Sequence, residues 1–411
     1  MNVPKTLAVT YGSYNAVRML IGVYHAVFLL STGVSLPQLA LLQVIFSVTI
    51  LTLDFPCAVL ADKYHRKYSV VGGVVLTALF YPLCLQSPDM VYLAVSEVVY
   101  AAGICLITGA IDGWVYHSLE NEKDRFSHYA HLCQKVNSFG SVITGIAGIA
   151  TIYFSGNFAT GYTISGLMMI VIAFAFIATP EKNNIINEGN KNKSFIQNAQ
   201  ETLWIFKNTA GGSLFILLTC FFSAGIQIIF HFWQPIILSR QNTGHLDTTQ
   251  LLVLMLCHIG AFSAQYVANA FMSRHHVSDH KYTKLIKHFS FIACIMCIAL
   301  YGLVIAGQTY LAVIAFSLIH GFICTVPVGA KSLFFSELND QQTSYVSGIV
   351  GAVSFSGRIF SVIVLSIISF LPEEIPPVSY LILPTVAFLL CGLVMVRWLS
   401  VIKKQFNEEV T

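Results

Sequence analysis

The chain has 411 residues, of which 56% are hydrophobic and only 10% are charged. A soluble domain carries about 25% charged residues, and apolar stretches of about 18 residues or more, long enough to span a bilayer, recur along the whole length. These values exclude a soluble protein and indicate an all-α polytopic membrane protein in a lipid bilayer. The formal net charge of +3 says little about partners, and we expect no nucleic-acid partner.

Twelve apolar segments, called spans 1 to 12, are predicted to cross the membrane as helices. A polar, Asn- and Lys-rich segment, 180–211, divides them six and six, and its second half has an amphipathic pattern. We therefore predict an N-terminal six-helix bundle (1–179), a linker (180–211) and a C-terminal six-helix bundle (212–411). In chain order the spans are 7–31, 37–60, 69–87, 91–117, 129–153, 158–179, 212–238, 249–272, 288–306, 309–334, 345–370 and 378–398.

Lysine and arginine lie almost entirely on one side of this topology. Seventeen of them fall in the terminal segments and loops on that side, and only Arg240 falls in a loop on the other. Loops rich in these residues stay in the cytoplasm, so the pattern predicts that both termini and the linker are cytoplasmic. We expect a multi-pass protein of the cell membrane, in a bacterium the inner membrane.

Charged residues inside the spans follow a pattern of three. A charge in hydrocarbon costs at least about 2.5–3.5 kcal/mol, so it is expected on helices that face protein or water. Spans 3, 6, 9 and 12 have no charged residue when Arg397 is counted with the C-terminal segment. This pattern predicts that every third helix faces lipid. It also predicts that a three-helix unit occurs four times. The charged residues of the other spans are Arg18, Asp54, Glu97, Asp112, Lys135, Lys331 and Arg358.

The first helix of each three-helix unit also carries a stripe of polar residues. Positions three or four apart lie on one face of a helix. Four such stripes predict a central wet cavity for a small-molecule substrate; the alternative is that these residues hydrogen-bond helix to helix. The cavity candidates are Tyr11, Asn15, Arg18 and His25 of span 1, Tyr100 of span 4, Gln227, His231 and Gln234 of span 7, and His320 and Lys331 of span 10.

The segment AVLADKYHRK (58–67) resembles the signature of the loop between helices 2 and 3 in the major facilitator superfamily. Asp62, Lys63, Arg66 and Lys67 follow that signature, whereas its two glycines are replaced. The resemblance implies two six-helix halves that rock about a substrate site at the midplane of the membrane, without a cofactor. It also implies that these four residues gate the transporter, with Asp62 acting as a latch on the N-terminal end of span 11.

Two further segments, DFPCAVLAD (54–62) and GAIDGWVYHSLE (109–120), are similar to segments of the drug-, siderophore- and natural-product-exporter-like branch of this superfamily. This branch implies proton-driven export of a polar amphiphile, such as a siderophore, a microcin-type peptide antibiotic or a drug, and thus a role in antibiotic resistance. Proton-coupled uptake of a small polar solute is the alternative. We expect a monomer.

Acids inside the spans are the candidates for proton coupling. By residue counting, Asp54 and Asp112 lie as deep as Arg18 and Lys135, which predicts a buried charge cluster. A buried acid can titrate near neutral pH or stay ionised if it is paired, and permanent salt bridges that lock helices together are the alternative. The coupling candidates are Asp54, Asp112 and Glu97, and the candidate charge partners are Lys135 and Arg358.

Other classes of membrane protein fit the sequence less well. The string closest to a nucleotide-binding loop, VPVGAKS, lacks the required glycine spacing, which disfavours a primary pump. A channel or receptor is disfavoured because the three-helix units repeat, and an enzyme would need a metal or nucleophile constellation at one face of the membrane. A His-rich stretch, 273–284, is interpreted as a solvated loop rather than a metal site.

Overall fold

The computed structural model describes residues 2–63, 66–118, 126–181, 204, 209, 211–238, 246–272, 280–336 and 346–409. Some side chains within these ranges also lie outside the description, among them those of Asp62, Lys63, Asp112 and Lys331. All regular secondary structure in the described part of the chain is helical, which confirms the all-α prediction.

The helices of the described residues are numbered in chain order. The first seven are α1 (Val3–Gly22), α2 (His25–Ser31), α3 (Leu36–Lys63), α4 (Arg66–Cys84), α5 (Met90–Ser118), α6 (Phe126–Ser155) and α7 (Phe158–Ala178). The others are α8 (Gly212–Ile237), α9 (Thr248–Met272), α10 (His280–Ile305), α11 (Thr309–Ser336), α12 (Val346–Ser369) and α13 (Ile382–Glu409), with a 3₁₀ helix (Pro377–Leu381) before the last.

Membrane-length helices account for most of this architecture. Ten stretches of the described residues are long and apolar enough to cross a membrane, and shorter apolar stretches lie in α11 and α12. In chain order they match the twelve predicted spans. The first stretch, Val3–Ser31, comprises α1 and α2 rather than one helix, because the backbone leaves helical geometry at Tyr24 (φ −141°, ψ 3°).

Local sequence explains where two of the helices begin. The side chain of Asn2 caps α1 by accepting a hydrogen bond from the backbone N–H of Lys5 (3.2 Å). Asn157 caps α7 in the same way, with the N–H of Ala159 as the donor (2.8 Å). A capping side chain satisfies an N–H group that has no partner within the helix. Gly156, with a φ of 64°, makes the turn between α6 and α7 possible.

The chain forms two compact units. The first comprises Met1–Ile186, Gln241–Ser263 and Ile368–Glu373, and the second comprises Asn187–Arg240, Ala264–Ile367 and Glu374–Thr411. Most of the segment 180–211 lies outside the described residues. The bundle boundaries of the sequence analysis therefore stay a prediction.

In the first unit, α1 is packed by several helices. It lies along α6 and α7 and also contacts α5, while α4 lies against α5 and α7, and α3 against α5. Small residues let α1 and α6 approach closely: the Thr144 hydroxyl donates to the carbonyl oxygen of Ala16 (2.6 Å), and Gly148 lies against the carbonyl of Leu20. This close approach fixes the face that α1 turns toward the rest of the unit.

The second unit is held by aromatic residues. In it α8 packs against α11 and α13, and α10 packs against the same two helices. The ring of Phe215 stacks on that of Phe334, with centroids 4.3 Å apart, and on that of Trp398, at 5.4 Å. All three side chains are buried, and large buried rings contribute strongly to core stability.

The helices α4 and α7, which correspond to spans 3 and 6, have two different faces. One face exposes large apolar side chains such as Leu79, Ile170 and Phe174, which suits contact with lipid, as the sequence predicts. The other face is buried and includes Tyr81 and Tyr162. These helices therefore also build the interior of the first unit, which the pattern of charges did not indicate.

Candidate functional site

Arg18 is the centre of a polar cluster in the first unit. Its Nε donates a hydrogen bond to the hydroxyl of Tyr100 on α5 (2.6 Å), and its Nη1 donates to Oδ1 of Asn15, one turn earlier on α1 (3.1 Å). Its Cζ lies 5.6 Å from the ring centroid of Tyr14 and 5.1 Å from that of Tyr100. Aromatic faces attract a cation that has lost water. The structure thus brings three predicted cavity residues, Asn15, Arg18 and Tyr100, into direct contact.

The helix α4 supplies a wall of this cluster. The hydroxyls of Tyr14 and Thr77 are hydrogen-bonded (2.9 Å), and the ring of Phe80 stacks on that of Tyr100, with centroids 4.4 Å apart and an interplanar angle of 22°. Thr77 and Phe80 were not predicted as site residues, because span 3 carries no charge. The available signal was a hydroxyl and several aromatic residues in an otherwise aliphatic segment, which is a weak signal, since such residues also occur in ordinary packing.

Glu97 is a buried acid beside the same cluster. It lies on α5, three residues before Tyr100, and its side chain is only 3% exposed. None of the described residues donates a hydrogen bond to its carboxyl group or forms an ion pair with it. It is close enough to Tyr100, Cys84 and Tyr162 to interact with them electrostatically. Burying an ionised carboxylate without donors costs several kcal/mol, so the position suits a carboxyl group that can gain and lose a proton.

His25 connects the end of span 1 to α7. Its Nδ1 is hydrogen-bonded to the hydroxyl of Tyr162 (2.6 Å), and its ring centroid lies 5.9 Å from that of Phe80. Phe80 therefore touches both His25 and Tyr100, and it joins the two polar groups. The other predicted residue of span 1, Tyr11, stacks on Tyr14 with centroids 6.0 Å apart.

The second unit carries its own group of polar and aromatic side chains on α8 and α11. His231 Nε2 is hydrogen-bonded to Gln227 Oε1, one turn earlier (2.8 Å). The ring of His320 meets that of Phe230 edge-on, with centroids 4.9 Å apart. Gln234 and His320 are buried, at 3% and 4% exposure. The predicted stripes of spans 7 and 10 thus lie on neighbouring helices and meet through the contact of His320 with Phe230.

The predicted buried charge cluster is wrong for two of its members. Lys135 is exposed on α6, and Arg18 is bonded to the neutral groups of Tyr100 and Asn15 rather than to an acid. Counting residues estimates how deep a side chain lies, but not its direction, which turns by about 100° per residue in a helix. Equal depth therefore did not bring these charges together.

The loop signature is described only in part. Arg66 and Lys67 begin α4, and the backbone N–H of Lys67 donates to Glu181 Oε2 (3.3 Å), so an acid at the end of the first six spans reaches the start of α4. The side chains of Asp62 and Lys63 lie outside the described residues. The latch and the gating role stay predictions.

The other candidate residues are partly exposed, or their side chains lie outside the described residues. Asp54 on α3 and Arg358 on α12 are partly exposed, and both interact with neighbours. The side chains of Asp112 and Lys331 lie outside the described residues, as does most of the His-rich stretch, 273–279. Of the three candidate acids, Glu97 is thus the one for which the structure describes a buried carboxyl group.

A bundle of membrane-length helices with polar and charged side chains held in its interior has the architecture of a polytopic membrane transporter. Residues 7–362 match the family model of the Major Facilitator Superfamily, so the chain belongs to this superfamily of secondary active transporters. This confirms the predicted family and fold class.

Solved structures of this superfamily share the fold at low sequence identity. The nucleoside transporter NupG matches with a TM-score of 0.68 and 12% identity over 98% of this chain and 100% of that chain. A variant of the E. coli fucose:proton symporter FucP matches with a TM-score of 0.60 and 16% identity over 96% and 97%. The POT family transporter PepTSo matches with a TM-score of 0.68 and 10% identity over 98% and 99%. No curated protein matches the chain significantly.

Proposed function

We propose that this chain is a proton-coupled symporter of a small polar solute, with the Arg18 cluster as part of the solute site and Glu97 as the group that carries the proton. The observation that carries this proposal is the buried carboxyl group of Glu97, which has no hydrogen-bond partner among the described residues and lies one turn from Tyr100, the partner of Arg18. An acid so placed is suited to bind a proton when buried and to release it when water or a cation reaches it.

Symport is favoured because Glu97 and Arg18 do not pair with each other among the described residues. Arg18 is bonded to Tyr100 and Asn15, and Glu97 forms no ion pair with it in the described part of the chain. Proton and solute can therefore be bound at the same time. In an antiporter one must displace the other, which is simplest when both use the same group. One structural neighbour is a fucose:proton symporter, which fits this direction of coupling.

Proton-driven export is the second candidate. It is supported by the similarity of segments 54–62 and 109–120 to the exporter-like branch of the superfamily. In that case the substrate would be a polar amphiphile, such as a siderophore or a peptide antibiotic, and the membrane would be the inner membrane of a bacterium.

The sign of proton movement distinguishes the two candidates. Purified protein is placed in liposomes that contain a pH-sensitive dye, and solutes are added outside in the absence of a pH gradient: fucose, a nucleoside, lactate and a hydroxamate siderophore. Symport predicts that entry of a transported solute acidifies the lumen, because protons enter with it. Export by antiport predicts that the lumen becomes alkaline. A labelled solute that enters with no proton movement contradicts proton coupling in either direction.

A further inference from the structure

We infer that Arg18 binds an anionic group of the transported solute, a carboxylate or a comparable oxyanion. The inference rests on the proposed function and specifies the chemistry of its substrate. It starts from the charge of Arg18, which lies well inside the first membrane span, and from the nature of its partners.

Every partner of Arg18 in the described part of the chain is neutral. The two hydrogen bonds go to a phenol, Tyr100, and to an amide, Asn15, and the two aromatic contacts are with Tyr14 and Tyr100. A guanidinium has five N–H donors in a planar fork, and these bonds use two of them. The remaining three, one on Nη1 and both on Nη2, have no partner among the described residues. A charge inside a membrane is expected to be paired, and no acid among the described residues forms an ion pair with this one.

The free donors are arranged to bind an oxyanion. Nη1 and Nη2 form the outer edge of the guanidinium, which binds the two oxygens of a carboxylate through parallel hydrogen bonds. The bond from Nε to Tyr100 and the stacking of Tyr100 on Phe80 hold the plane of the fork in place. The side chain of Arg18 is also partly exposed, so a ligand can reach it, and Glu97 forms no ion pair with it in the described chain.

An anion at Arg18 also links solute binding to the proton. Glu97 lies one turn from Tyr100, and the other described residues that interact with it electrostatically, Cys84 of α4 and Tyr162 of α7, are not basic. The group that connects the two in the described chain is Tyr100, which accepts the hydrogen bond of Arg18 and lies one turn from Glu97. A solute that changes the bond between Arg18 and Tyr100 therefore also changes the surroundings of the acid.

Matched pairs of an anion and its neutral amide test the inference without any gradient. The full chain is purified in detergent, and its thermal unfolding is measured with acetate and acetamide, lactate and lactamide, and benzoate and benzamide, each up to 10 mM at constant ionic strength. Inorganic phosphate and sulfate are included, to separate carboxylates from other oxyanions. We expect a saturable rise in Tm with at least one anion and none with its amide. Equal effects of anion and amide, or no saturable effect of any anion, contradict the inference.

Arg18→Gln is expected to weaken the binding of the active anion by about 10- to 100-fold, since hydrogen bonds to a charged group are lost. Arg397→Gln, which removes an exposed arginine from α13, is the matched control and should bind as the parent does. If Arg18→Gln binds the anion as tightly as the parent, the inference is wrong. If Arg18→Gln does not fold, the contrast between anion and amide in the parent protein still decides. Failure of this test leaves the proton-movement experiment untouched, so the two proposals fail separately.

Discussion

At the scale of single residues, three hydrogen bonds between side chains of the described residues join α1 and α2 to other helices. Arg18 reaches Tyr100 on α5, Tyr14 reaches Thr77 on α4, and His25 reaches Tyr162 on α7. Each pair joins a side chain of the first span to another helix of the same unit. Glu97 is the exception, because it is buried without such a partner in the described chain. The polar residues that hold the unit together thus differ from Glu97, the acid that we expect to gain and lose a proton.

Tyr100→Phe tests the bond that orients Arg18. The ring, and with it the stacking on Phe80, is kept, but the acceptor of the Nε hydrogen bond is lost. Because the bond involves a charged donor, its loss is expected to weaken solute binding by about 1.5–3 kcal/mol, with a smaller change in the maximal rate. The measurement is the KM and kcat of solute uptake into liposomes.

Tyr92→Phe is the control for this substitution. Tyr92 lies two turns earlier on the same helix and is exposed, so removal of its hydroxyl should leave KM unchanged. A KM for Tyr100→Phe as low as that of the control would show that the bond does not position Arg18.

At the scale of helices, glycines decide which faces approach closely. Gly73 of α4 and Gly103 of α5 face each other: a Cβ at Gly73 would lie 2.5 Å from the carbonyl oxygen of Gly103, and a Cβ at Gly103 would lie 2.7 Å from that of Gly73. Backbone atoms cannot yield as a side chain can. This contact holds α4 and α5 together within a few residues of Thr77, Phe80 and Tyr100.

Gly73→Ala is therefore expected to destabilise the first unit by about 1–3 kcal/mol, the usual cost of overpacking. Gly72→Ala is a control at the neighbouring position, where the nearest atom to an added Cβ is 4.0 Å away. That change should be neutral or slightly stabilising, because alanine favours a helix. Thermal unfolding in detergent measures both variants, and equal Tm values for the two would contradict the close contact.

The helices could be predicted from the sequence better than the site could. Apolar segments of membrane length are fixed by composition, and all twelve spans appear in order, although the first is interrupted at Tyr24. The stripe of α1 was also predictable, because Asn15 and Arg18 are polar residues at helical spacing in an apolar segment. Thr77, Phe80 and Tyr162 were not, since neutral hydroxyl and aromatic residues occur equally on faces turned to lipid. Lys135 was misplaced because its depth does not give its direction.

At the scale of the whole molecule, the asymmetry of lysine and arginine predicts the orientation in the membrane. The segment 180–211 contains Lys182, Lys191, Lys193 and Lys207, and it is expected in the cytoplasm. Trypsin added to inside-out vesicles should cut the chain there, as well as in the other cytoplasmic loops that contain lysine or arginine. Intact spheroplasts, in which the cytoplasmic side is sealed, should be protected. Cleavage in this segment from outside the cell would reverse the proposed topology.

Membership of the superfamily assigns secondary transport to the chain, and we propose that its coupling to protons depends on one side chain. In this proposal Glu97 carries the proton, and the Arg18 cluster is part of the solute site. Replacement of the carboxyl group by a neutral amide of similar shape should then abolish proton-driven accumulation and leave solute binding intact.

The most direct test is transport by Glu97→Gln in liposomes, measured in two ways on the same preparation. Accumulation driven by a pH gradient should fall to background, whereas exchange of labelled for unlabelled solute, which needs no net proton movement, should continue near the rate of the parent. Glu374→Gln, which alters an exposed acid, should show both activities. If Glu97→Gln still accumulates solute in response to the pH gradient as the parent does, Glu97 does not carry the proton and the central claim is wrong.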